Sequence, residues 1–126
     1  MHKDHRKKIV AAIGDLFFTV KIRETARHAG IEVEFVKSEK DVLEMAKTHP
    51  LLIILDLGFS ILQPIKLISK LKSAEESKQI SLIGYLSHVE GELKQQAHDA
   101  GCDMVMAKSA FSQNLPQILK RHSELR

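Results

Sequence analysis

Short apolar runs alternate with amphipathic stretches along the chain, and the densest run is Leu51 to Asp56, five aliphatic residues ending on a carboxylate. Apolar on both faces, it predicts a strand buried in the middle of a parallel sheet. Lys8 to Ile13 predicts an earlier strand, broken by Gly14-Asp15. Leu16 to His28 then carries Val20, Ile22 and Ala26 among charged residues, which predicts an amphipathic helix that Gly30 ends. Ile31 to Val36 alternates apolar and acidic residues, as a strand near a sheet edge does. Ser38 is placed to cap a helix over about Glu39 to Lys47, which stops before His49-Pro50.

After Asp56 the pattern predicts a loop from Leu57 to Leu62. A helix opened by Pro64 follows, with Ile65, Leu67, Ile68 and Leu71 on its buried side. The polar stretch Ser73 to Gln79 reads as a surface connection. Ile80 to Leu86 reads as a fourth strand, Glu90 to Ala100 as a helix stopped by Gly101, and Met104 to Ala107 as a fifth strand. The last helix is expected over Leu115 to Leu125, opened by Ser112 and the early Pro116, and Phe17 and Phe18 are expected to lie buried under the first helix.

Strands alternating with helices at this spacing call for an α/β three-layer sandwich: a five-stranded parallel sheet with five helices on its two faces. The flavodoxin-like strand order 2-1-3-4-5 places LLIILD in the middle and IEVEFV at an edge. The chain, residues 1–126 with a core of about 7–123, reads as one domain without repeats or linkers. In sheets of this kind ligands gather at the carboxyl ends of the strands, which makes Asp56 the leading candidate residue.

Composition narrows the function classes. A single cysteine, Cys102, excludes an internal disulfide and suits a reducing cytoplasm. No apolar run approaches the roughly 20 residues of a membrane helix, and MHKDHRKK lacks the apolar segment of a signal peptide, so a soluble cytoplasmic protein is expected. The net charge of +3 comes partly from the two chain ends and reads as solvated charge, which disfavours nucleic-acid and membrane partners. The seven histidines show no ligand spacing on one helix. The chain has no Walker loop, no Gly-x-Gly-x-x-Gly and no nucleophile elbow.

LLIILD, the Met104 to Phe111 segment MVMAKSAF, and the placement of HAGIEV (28–33) and DAGCDMVMAK (99–108) carry a resemblance. From roughly Lys7 to Leu119 the chain resembles the receiver domain of bacterial response regulators, the CheY-like phosphoacceptor half of two-component signalling. The resemblance implies that Asp56 stands at the phosphoacceptor position. It also implies that Lys108 is the lysine which, with Mg²⁺, neutralises the incoming phosphoryl group.

The same resemblance exposes departures. The family's acidic metal-binding pair falls on Ile13 and Gly14, and Asp15 comes one residue later. The switch hydroxyl falls on Leu86, with Ser87 adjacent; Ser109 replaces the proline after the lysine, and Phe59-Ser60 and Gln63-Pro64 replace the usual loop pairs. Mg²⁺ demands near-octahedral oxygen coordination, so Asp15, Asp56 and the Gly58 carbonyl are weak candidate ligands.

The resemblance therefore implies a pseudo-receiver: a phosphorylation-independent protein–protein interaction module, not an enzyme, with no cofactor and a direct Asp56 to Lys108 ion pair. The alternative is a working phosphoacceptor, phosphorylated on Asp56 by a histidine kinase in the presence of Mg²⁺, with Ser87 as a candidate switch hydroxyl. The expected partner is a protein, a histidine kinase or signalling complex. It would dock on the face of the fourth helix, fifth strand and fifth helix (87–96, 104–106 and 114–120), where Val105 takes the family's aromatic switch position and Met104 and Met106 offer an adaptable surface. A monomer or weak dimer is expected.

Overall fold

The computed structural model describes residues 7–87 and 91–124. The expected start of the fourth helix at Glu90, and the expected last helical residue, Leu125, lie outside the described residues. Five parallel strands, β1 (Lys8–Ala12), β2 (Glu32–Val36), β3 (Leu52–Asp56), β4 (Ser81–Leu86) and β5 (Met104–Ala107), form one sheet in the order β2-β1-β3-β4-β5. Between and after them run α1 (Leu16–His28), α2 (Glu39–Ala46), α3 (Pro64–Ser73), α4 (Gly91–Ala100) and α5 (Lys108–Glu124). The architecture is the flavodoxin-like sandwich that the periodicity predicts.

Strand pleating divides the core in two, because successive side chains point to opposite faces. Val10, Ala12, Ile53, Leu55, Leu82 and Leu86 pack with the apolar sides of α2, α3 and α4. Ile9, Ala11, Ile13, Leu52, Ile54, Ile83 and Tyr85 pack with α1 and α5. Leu52, Ile53, Ile54 and Leu55 are wholly buried, and only Asp56 of β3 reaches partial exposure. The register sets Ala12 beside Leu55 and Asp56 beside Tyr85, so the ends of β1, β3 and β4 converge on one crevice.

Two expectations are corrected. The last helix begins at Lys108, directly after β5, and Pro116 lies in its interior. Phe111, Leu115, Ile118 and Leu119 all bury along one side of it, and Phe111 lies a full turn before Leu115, the expected first residue. The second correction concerns the two phenylalanines: Phe18 is buried against β4, whereas Phe17, one residue around the helix, faces solvent.

Candidate functional site: a carboxylate crevice at the strand ends

Asp15 is the N-cap of α1. Its extended backbone sends Oδ1 back to the amides of Phe17 (2.8 Å) and Phe18 (3.3 Å), satisfying two of the donors that a helix start leaves without partners. Its other carboxylate oxygen, Oδ2, accepts a hydrogen bond from Lys108 Nζ at 3.0 Å. That bond, with the two amides, holds the Asp15 carboxyl below the usual carboxylate range.

The expected Asp56 to Lys108 pair is therefore corrected: Lys108 is bonded to Asp15. The early start of α5 supplies the reason. Lys108 leaves the sheet on helical backbone as the first residue of α5. Its ammonium passes over the Phe18 ring, 5.4 Å from the centroid, toward the start of α1.

Asp56 keeps only a local partner among the described residues. Its Oδ1 accepts from the Gly58 amide at 2.9 Å. Burial pushes its carboxyl above the usual range; the Gly58 hydrogen bond and the nearby Lys108 charge oppose that rise, and the Asp15 charge adds to it. Beneath the carboxylates lies Tyr85, fully buried, stacked on Phe111 at 5.0 Å and edge-on to Phe18 at 4.9 Å. Its hydroxyl finds no hydrogen-bond partner among the described residues, and burial beside Asp56 and Asp15 pushes its ionisation far up.

The end of β1 is shaped by Phe59. A Cβ built on Gly14 would meet the Phe59 ring at 3.1, 3.2 and 3.4 Å, so the ring fills the space over this residue. Ile13 turns inward and is buried. As a Mg²⁺ cradle these residues fit poorly: both Asp15 oxygens already accept hydrogen bonds, one from a cation, and the Phe59 ring stands where a side chain at residue 14 would go. Gly58 donates its amide to Asp56. Among the described residues no group of three or more His, Cys, Asp or Glu side chains is arranged to hold a metal ion.

Leu86 points into the core shared with α3 and α4, and Ser87 stands exposed at the end of β4, with no hydrogen bond to another described residue. Asp15, Asp56 and Lys108 are thus brought together at one end of the sheet, with Ser87 at the margin.

No protein-family model matches the chain, and no curated protein is similar to it in sequence. Solved structures do match. The chemotaxis response regulator CheY4 of Vibrio cholerae superposes with a TM-score of 0.79 at 19% identity, over 93% of this chain and 98% of that one. A phosphorylated cyanobacterial phytochrome response regulator, RcpA, superposes with a TM-score of 0.75 at 22% identity, over 94% and 92%. An orphan response regulator of H. pylori gives 0.73 at 15% identity, over 95% and 97%. The fold is the CheY-like receiver-domain fold. At these identities the likeness carries the architecture and leaves the chemistry to the residues described above.

Three roles escaped the sequence reading: Asp15 as helix cap and partner of Lys108, the Phe59 ring beside Gly14, and Tyr85 beneath the acids. Asp15 stands directly before the first residue of an amphipathic helix, which is an N-cap signal. Phe59 and Tyr85 gave no local signal, because the roles of both depend on strands that are distant in sequence. No helix among the described residues is long and apolar enough to cross a membrane.

Proposed function

We propose that this domain is a signalling module of the two-component type that binds a protein partner through a fixed surface and takes up no phosphoryl group. One observation carries the reading: Lys108 is bonded to the helix-capping Asp15, not to Asp56. A carboxylate attacks a phosphoryl group only when the repulsion between the two anions is neutralised. Here the lysine is committed elsewhere, and the fit to a metal is poor. The domain needs no cofactor in this reading and is not an enzyme.

The partner face is α4, β5 and α5. Met104 is exposed there, and with Met106, Asn114, Gln117, Ile118 and Arg121 it lines a groove of about 330 Å³. Methionines in such a groove suit a protein partner, a histidine kinase or a signalling complex, because their side chains adapt to the surface they meet. Val105, half-buried, offers no large side chain to swing between two states.

A second reading, a phosphoacceptor modified on Asp56 by a histidine kinase with Mg²⁺, is favoured by the free second oxygen of Asp56 among the described residues. Similar solved structures include the phosphorylated RcpA and an Mn(2+)-bound Rcp1. Intact-protein mass after incubation with acetyl phosphate, with and without Mg²⁺, on the wild type and Asp56→Asn separates the two. The module reading expects no adduct. A Mg²⁺-dependent phosphoryl adduct that disappears in the variant selects the phosphoacceptor.

A further inference from the structure

Two carboxylates, Asp15 and Asp56, share a single ammonium at the crevice, and that ammonium is hydrogen-bonded to Asp15. Ionised Asp56 therefore leaves one negative charge uncompensated, half-buried, with one oxygen free of partners among the described residues. Exposed apolar side chains stand on the segments that follow each acid. Leu16 (78% exposed) and Phe17 (67%) directly follow Asp15 at the start of α1, and Ile61 (73%) lies in the 3₁₀ turn Ser60–Leu62 that follows the Asp56 loop. Single exposed apolar residues are ordinary; three of this size on the two segments that follow the acids, beside one half-buried charge, mark a contact surface.

We infer that this mouth is a docking socket for an arginine or lysine side chain of a protein partner, inserted between Leu16, Phe17 and Ile61 to pair with Asp56. The inference rests on the reading that no phosphoryl group occupies Asp56. Charge complementarity selects the occupant. An anion would meet the Asp56 charge, and a purely apolar segment would strip water from that carboxylate without offering it a partner, which is costly. A long cationic side chain brings both parts needed, an apolar stem for the rim and a charge for the floor. The Tyr85 hydroxyl, buried near both acids, is a polar group without a partner among the described residues. Arginine residues seated in desolvated pockets are frequent anchors of protein interfaces.

The test uses acetyl-Leu-Arg-Leu-amide as the probe, titrated into the whole chain without Mg²⁺ or phosphodonor and followed by amide NMR shifts. Saturable shifts are expected at Phe17, Gly58 and Ile61. Binding should weaken about fivefold or more when citrulline replaces the arginine, and likewise in Asp56→Asn with the arginine peptide. The citrulline comparison is made on the wild type, so it stands even where the variant alters the fold. Equal binding of the two peptides, unchanged binding in Asp56→Asn, or no shift at these amides overturns the socket. The acetyl phosphate experiment bears on the module reading separately, so a failure of either is recognised as its own.

Discussion

Lys108 Nζ lies 3.0 Å from Asp15 Oδ2, so the ammonium of the crevice supports the carboxylate that caps α1 and leaves Asp56 to the Gly58 amide. That pairing makes Asp15 a structural residue twice over. Asp15→Ala removes the cap of α1 and the partner of Lys108 together. A lost N-cap costs about 0.5–2 kcal/mol and a partly exposed ion pair about 0–1 kcal/mol, so urea denaturation should show a loss of about 1–2 kcal/mol. The variant should also lower the Asp56 pKa, because the Asp15 charge is gone and Lys108 is released. A carboxyl ¹³C titration of wild type and variant checks this; an unmoved Asp56 would mean that Lys108 stays away from it.

The two acids pull stability in opposite directions with pH. The Asp15 pKa is depressed below 3.8 in the folded state, so its contribution is present above that value and is lost as pH falls through the folded pKa. The Asp56 pKa is raised above 3.8, so the folded state holds its proton more readily, and stability falls as pH rises from 3.8 through the folded pKa. Asp56→Asn keeps an acceptor for the Gly58 amide and removes the buried charge. It should be more stable than the wild type at pH 7 and lose that advantage below pH 3.8, read from denaturation midpoints at the two pH values. A variant less stable at pH 7 would show that the Asp56 charge is compensated in the folded protein.

Tyr85 supplies a prediction that runs against habit for a core aromatic. Its ring is fully buried between Phe18 and Phe111, but its hydroxyl has no partner among the described residues. A buried donor left unsatisfied costs about 1–3 kcal/mol, and phenylalanine keeps the ring contacts, so Tyr85→Phe should stabilise the fold by about 1 kcal/mol. Thermal unfolding checks it. A lower melting temperature would place an ordered water on that hydroxyl.

The strand order was legible because LLIILD is apolar on both faces and IEVEFV alternates, and those patterns alone distinguish a central strand from an edge. The site was half legible. Asp56 and Lys108 fall at the strand ends where the pattern put them, but their pairing depends on where α5 starts. Pro116 suggested a late start, although the stripe of Phe111, Leu115, Ile118 and Leu119 already carries helical spacing from the end of β5. A lysine on the first helical turn reaches a different neighbour from one on an extended segment. No local pattern reports the Phe59 ring over Gly14, since it joins loops that are far apart in the chain.

That contact can be put to use. Gly14→Asp alone would force its Cβ to about 3 Å from the Phe59 ring, and overpacking of this kind costs about 1–3 kcal/mol. The added carboxylate would also crowd Asp56, which is already reluctant to ionise. Phe59→Ala alone opens the space but supplies no ligand. The double variant Gly14→Asp with Phe59→Ala has room for a second carboxylate beside Asp56, and two carboxylates with water suffice for Mg²⁺. Its unfolding temperature should therefore rise with added Mg²⁺, by an amount equivalent to about 1 kcal/mol at several times the dissociation constant, while both single variants and the wild type stay flat. Response in the wild type would show that the crevice opens to the metal as it stands. No response in the double variant would mean that the Asp15 to Lys108 bond, and not the phenylalanine, keeps the metal out, and adding Lys108→Met would then restore it.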